Sequence, residues 1–140
     1  LDLSFDEATL INSYNFPHEH APFDVVIANW TLHFVKDKEA YLRDIYSGMK
    51  SNGLLVLSEK VQSSYQVNDL YYDFKRSNGV EEDQIIAKAK ALEGVMHLHP
   101  LEWYFSTLKD IGFEQVEVID ASFSFMTLIA RKYSDANCKG

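Results

Sequence analysis

The polar residues that close apolar runs are where this sequence can do chemistry. Asp24-Val25-Val26-Ile27-Ala28 ends in Asn29, and Leu54-Leu55-Val56-Leu57 ends in Ser58-Glu59-Lys60. In open parallel sheets, ligands sit at the carboxyl ends of strands, so these two polar ends come first. Asn29 offers an amide and a carbonyl to a cleft. Glu59 can pair with its neighbour Lys60 or position a substrate. Trp30 and His33 follow Asn29, and an indole face attracts cations. Further on, Tyr71, Tyr72 and Arg76 have the chemistry to read a carboxylate or a phosphate. His18/His20 and His97/His99 form two His-x-His pairs, a spacing that puts both imidazoles on one side of a strand. Both pairs lie in loops, beside Pro17 and Pro100, and no Cys, Asp or Glu is spaced to complete a site, so no metal is expected. No Ser-His-acid or Cys-His arrangement stands out, and no catalytic residue is assigned.

The elements that position these residues follow from hydrophobic period. Phe23 to Lys60 reads as one βαβ unit. Its strands, Phe23 to Asn29 and Leu54 to Glu59, are continuous apolar runs expected to be buried on both faces of a parallel sheet. Between them Tyr41/Leu42, Ile45/Tyr46 and Met49 make one face of a helix from Ala40 to Met49. Ser51-Asn52-Gly53 should end it, with Asn52 or Gly53 in the left-handed cap conformation. Residues 62–96 carry no strand pattern and read as a helical insertion, broken at Asn78-Gly79, that covers the sheet's carboxyl edge or meets a partner. Pro100 stands at the N1 position of a helix whose apolar face is Leu101, Tyr104/Phe105, Leu108 and Ile111, capped by Gly112. Phe113, Val116 and Val118, then Phe123 to Ala130, should pair as a hairpin across Asp120-Ala121-Ser122. Ahead of the unit, Leu1-Asp2-Leu3 suggests a strand end and Phe5 to Ser13 a helix capped by Ser4 and Glu7. Residues 133–140 read as a polar tail. The whole is one domain, with the unit at 23–60, the insertion at 62–96 and the helix plus hairpin at 99–132.

Composition narrows the class. Thirteen Lys and Arg against twenty-one Asp and Glu give a net charge of −8, which argues against holding nucleic acid by bulk charge. A local basic patch remains open to Lys75-Arg76 and Lys88 to Lys90. No run of roughly 20 apolar residues exists to span a membrane. One cysteine, Cys138, admits no internal disulfide and suits a reducing, cytoplasmic setting.

In chain order the sequence presents Asn29-Trp30-Thr31-Leu32-His33-Phe34, Leu55-Val56-Leu57-Ser58-Glu59-Lys60, Asp73-Phe74-Lys75-Arg76-Ser77-Asn78-Gly79 and Leu92-Glu93-Gly94-Val95-Met96. These four motifs resemble the carboxy-S-adenosylmethionine synthase family, which acts in wobble-uridine modification of tRNA, over residues 23–132. The resemblance implies a Rossmann-like class I methyltransferase fold, here an α/β carboxyl-terminal portion: a small parallel sheet, an antiparallel hairpin and a helical insertion. It implies a cofactor, S-adenosylmethionine or its carboxylated form, with Asn29 and Trp30 lining the cofactor cleft and Tyr72 and Arg76 on the side of a small-molecule substrate. In the family, prephenate supplies the carboxyl group.

Two departures accompany it. The family's glycine-rich loop, where backbone closely approaches the cofactor, has no counterpart, since Gly48, Gly53, Gly79, Gly94, Gly112 and Gly140 lie far apart. The expectation is a truncated enzyme, inactive alone. The family's carboxylate-holding arginine falls at Ala89, between Lys88 and Lys90, which favours an ordinary methyltransferase. The alternative is a non-catalytic module, and either reading predicts a homodimer through an exposed sheet edge, because an unpaired edge must be covered.

Overall fold

A computed structural model describes residues 16–133. The strand and helix expected before Asn15 and the polar tail beyond Tyr133 lie outside the described residues. Four strands form one mixed sheet in the order β1-β2-β4-β3. They are β1 (Phe23–Asn29), β2 (Met49–Lys60), β3 (Glu114–Ser122) and β4 (Phe125–Arg131). β1 and β2 are parallel, while β4 runs antiparallel to both β2 and β3. Four helices accompany them: α1 (Lys38–Ser47), α2 (Tyr65–Ser77), α3 (Glu82–Leu92) and α4 (Leu101–Ile111). The α/β class, the βαβ unit, the broken helical insertion and the closing hairpin thus take the expected order.

The sheet has two unlike faces. Burial alternates residue by residue along β4 and along β2 from Gly53 to Leu57. Val26 and Ala28, Leu55, Leu57 and Glu59, and Met126, Leu128 and Ala130 share one face by register. Leu42 and Ile45 of α1 and Tyr104 and Leu108 of α4 close over it, each fully buried. Val25 and Ile27, Leu54 and Val56, and Ile129 share the other. There Val25 is 51% and Ile27 61% exposed. Burial of β1 on both faces, expected from its unbroken apolar run, is therefore not seen among the described residues. The run reflects two apolar faces, of which these helices cover one.

Boundaries shift for identifiable reasons. Asp37 accepts a hydrogen bond from the Ala40 amide and starts α1 two residues earlier than expected. The helix ends at Ser47, not Met49, because Gly48 is its cap and a Cβ there would meet the Phe16 ring at 2.1 Å. β2 then begins at Met49, five residues early. Asn52 is left-handed, φ 67°, but inside β2, where the β1–β2 register shifts between Phe23 and Val25. Pro100 is the N-cap of α4, not N1, with extended ψ of 160°. The hairpin turns at Phe123-Ser124; Asp120-Ala121-Ser122 belongs to β3, and Phe123 takes φ 54°. Gly79 and Gly112 take positive φ as their cap positions require.

Candidate functional site

The carboxyl ends of β1 and β2 lie side by side, with Asn29 paired to Ser58. Asn29 is exposed at the strand end. Trp30 follows with φ 57°, a left-handed conformation costing roughly 1–3 kcal/mol for a bulky residue. Its amide is held by the Ser58 carbonyl at 2.8 Å. Its ring, 45% exposed, meets Phe125 edge-on at 5.7 Å. Phe125 in turn meets Tyr71 of α2 at 5.3 Å, and Tyr71 meets Phe123 at 5.4 Å. An aromatic rim therefore joins the end of β1 to the insertion. It links Trp30 to Tyr71 at the carboxyl end of the sheet, while Asn29 and Trp30 do not themselves line the cleft that holds Tyr72 and Arg76.

Tyr72 and Arg76 line a cleft of about 540 Å³ between α2 and α3, at the end of β2. Ser64 caps α2 through the Val67 amide, and Gly79 lets the chain turn into α3. Arg76 braces that corner. It donates from Nε and Nη2 to both Glu82 carboxylate oxygens, at 2.8 and 3.2 Å, and from Nη1 to Asp73 at 2.9 Å. The hydrogen bonds to Glu82 push the guanidinium pKa up and hold the Glu82 carboxyl below its usual range. Lys60 lines the same cleft, its ammonium 5.7 Å from the Phe125 ring centre. Burial, then repulsion from Lys75 and Lys88, lowers its pKa. Ala89 also lines the cleft.

Glu59 does not pair with Lys60, because strand alternation sends the two to opposite faces. Glu59 is fully buried under α4. Its Oε1 accepts from the His33 amide at 3.1 Å and lies 3.3 Å from His33 Nδ1, and its Oε2 accepts from the Tyr104 hydroxyl at 2.8 Å. Burial first, then the Glu59 charge, pushes the Tyr104 phenol far above its usual range. Buried Lys38 donates to the carbonyls of His97 and Val35 at 2.7 and 3.3 Å. Burial lowers its pKa against a smaller opposing pull from Glu59. The His97 amide closes the circuit on the His33 carbonyl at 2.6 Å. This network pins the turn after Trp30 to β2, α4 and the α3–α4 link. Neither Lys38 nor Tyr104 was singled out from the sequence. The signal was there in Tyr104, a hydroxyl on an otherwise apolar helix face opposite an acidic strand end.

The histidine pairs take other roles. His99 stacks on Trp103 at 4.0 Å, and His18 and His20 lie near Asp44 and Glu19 at 3.8 Å. Among the described residues no group of three or more His, Cys, Asp or Glu is placed to hold a metal, and no helix is long and apolar enough to cross a membrane.

Residues 5–57 match the family model described as "Methyltransferase domain". The carboxy-S-adenosyl-L-methionine synthase of Pseudoalteromonas translucida is 40% identical over 115 residues, 77% of this chain and 48% of its own length. That of Aeromonas salmonicida is 41% identical over 120 residues, 81% of this chain and 49% of its own. The chain is similar to the carboxyl-terminal part of the carboxy-S-adenosyl-L-methionine synthases. It spans about half the length of these curated relatives, matching their carboxyl-terminal part. Solved structures agree on the fold. An O-methyltransferase family protein from Burkholderia thailandensis superposes with a TM-score of 0.55 at 21% identity, over 84% of this chain and 32% of its own. A possible histamine N-methyltransferase from Thermotoga maritima gives 0.56 at 17% identity, over 85% and 60%. With those neighbours the mixed sheet is the carboxyl-terminal portion of the class I methyltransferase fold.

Proposed function

We propose that this chain supplies one wall of an S-adenosylmethionine-dependent transferase site. Asn29 and Trp30 face the cofactor, and Tyr72 and Arg76 face the small-molecule substrate. The aromatic rim carries this reading: Trp30, strained at the strand end, is linked through Phe125 to Tyr71 on the cleft. Strain in a bulky residue persists where its surroundings enforce it, as at ligand sites. The Asn29 amide suits a polar edge of the cofactor, and the Trp30 ring suits its sulfonium or adenine. Such a wall positions reactants, and positioning supplies much of a transferase's rate.

The glycine cradle is not among these 140 residues, so the chain alone binds cofactor weakly and turns nothing over. At position 89, Ala89 replaces the arginine that the resemblance leads one to expect, and it lines the cleft between two lysines. Without a free guanidinium fork for a carboxylate, plain methyl transfer from S-adenosylmethionine is favoured over use of its carboxylated form. The test supplies the other wall. The amino-terminal half of the Pseudoalteromonas enzyme is mixed with this chain, and S-adenosylmethionine is titrated by calorimetry. Micromolar binding that Asn29→Ala abolishes is expected. A stable complex of the halves that binds no cofactor would overturn the reading.

A second reading rests on β1, which carries exposed Val25 and Ile27 and ends the strand order among the described residues. An unpaired strand edge is a pairing site, and two copies of β1 pairing across a twofold axis would close that edge and join the two open faces into one. A sedimentation run showing a well-behaved monomer at micromolar concentration contradicts this homodimer.

A further inference from the structure

We propose that the cleft between α2 and α3 binds a phosphate monoester, its phosphate held by Lys60, Lys75 and Lys88 and its organic part by the apolar wall of Ile86, Leu92 and Met96. This deepens the substrate-side reading above and rests on it.

The chain carries an excess of acid, yet five of its thirteen basic side chains line this one cleft: Lys60, Lys75, Arg76, Lys88 and Lys90. Two carboxylates, Glu82 and Glu93, line it with them. Glu82 is occupied by both parallel donors of Arg76. None of the four lysines makes an ion pair among the described residues. Lys75 is held over Tyr71, 4.5 Å from its ring centre, and over Tyr72 at 5.8 Å. Those ring faces position the ammonium without neutralising it. Lys60 stands on the end of β2, on the rigid sheet. It feels the charges of Lys75 on α2 and Lys88 on α3 strongly enough that both depress its pKa, after burial. Three elements thus bring unneutralised ammonium groups together, and a multiply charged anion relieves that repulsion.

The type of cation decides which anion. A planar carboxylate is best met by a guanidinium fork, but all of Arg76's fork is spent on Glu82 and Asp73. What remains are ammonium groups, compact point charges with rotatable donors that match a tetrahedral dianion from several directions. The α3 side of the cleft also offers apolar surface, with Ile86 51% exposed and Leu92 on the helix and Met96 in the link that follows it. A bare inorganic ion would leave that wall unused. A second cleft, of about 460 Å³, shares Lys60 and Tyr72 and gives the organic part room to extend toward Ser64.

The experiment is calorimetric titration of the chain, at low ionic strength and without cofactor, with phenyl phosphate, inorganic phosphate and phthalate. Phthalate is a dicarboxylate of similar charge and ring size. Phenyl phosphate is expected to bind about tenfold more tightly than phthalate, with inorganic phosphate weaker than phenyl phosphate. Lys60→Gln and Lys75→Gln should each weaken it by about fivefold or more, and added salt should weaken it too. Lys109→Gln, on α4 and away from the cleft, should leave it unchanged, with circular dichroism confirming that each variant is folded. Equal affinity for phthalate, lysine variants that bind like the parent, or no saturation by about 20 mM phenyl phosphate would overturn the assignment. Because no cofactor is present, such a failure would leave the Asn29–Trp30 wall untouched. Loss of cofactor binding in the mixed halves would equally leave the phosphate result standing.

Discussion

Both faces of the sheet hold apolar residues and use them differently. Under α1 and α4, Leu55, Leu57, Leu128 and Ala130 are fully buried. This face even accommodates a carboxylate, a phenol and an ammonium, Glu59, Tyr104 and Lys38, because each is hydrogen-bonded. The opposite face runs from exposed Val25 and Ile27, through half-buried Val56 and Ile129, to the aromatic rim and the lysine cleft. One face therefore makes the core, and the other leads to the proposed site. The cleft's lysines stand at the end of β2 and on α2 and α3, away from the face that α1 and α4 cover.

Glu59→Ala should separate the faces most sharply. It strands the Tyr104 hydroxyl and the His33 amide in a closed core, and breaking a buried charged network costs about 3–5 kcal/mol. That is a large share of a single domain's stability, so a urea melt should show little or no cooperative transition. A loss below about 1 kcal/mol would mean that the network is not closed as described.

A matched pair gives the next effect. Leu57→Ala, on the closed face, should cost about 2–5 kcal/mol. Ile27→Thr, on the open face and 61% exposed, should change the monomer's stability by no more than about 0.5 kcal/mol. Chemical denaturation of both variants at low concentration measures the contrast. Similar losses would show that β1 is covered after all.

The smallest effect carries a sign. Lys60 has its pKa lowered from 10.5 by burial and by Lys75 and Lys88. Below that lowered value the folded chain bears the full cost of the ammonium. Between it and 10.5 the unfolded chain binds more protons, so stability rises with pH. Lys38, also lowered, contributes the same sign. Lys60→Gln should raise the urea midpoint slightly at about pH 7 and flatten its rise toward about pH 9.5. Above about pH 10 the raised pKa of Tyr104 reverses the slope. A midpoint that falls on substitution would place Lys60 among stabilising charges and weaken the case for an anion cleft.

Much of this was legible in the sequence where a local rule decides. Apolar period gave the βαβ unit and the insertion, and Gly79 and Gly112 marked helix ends. The basic residues of the cleft were visible as Lys75-Arg76 and Lys88 to Lys90, but nothing local brings them to Lys60. That requires the α2–α3 corner, locked by an Arg76–Glu82 pair six residues apart. The Glu59–Lys60 pair, one of two roles open to Glu59 in the sequence, does not form because strand alternation sends adjacent residues to opposite faces. Glu59 instead meets His33 and Tyr104, 26 and 45 residues away. The hairpin turn was misplaced because Asp120-Ala121-Ser122 is turn-like in composition, whereas the chain turns on Phe123, an unfavoured residue for positive φ.

The central claim is that Asn29 and Trp30 form one wall of a two-walled cofactor site. Titrating S-adenosylmethionine into the chain alone, followed by backbone amide shifts, tests it most directly. The account predicts weak binding, with a dissociation constant above about 1 mM, shifts centred on Asn29, Trp30 and Phe125, and their loss in Asn29→Ala. Micromolar binding by the chain alone, or shifts that survive Asn29→Ala unchanged, would contradict it.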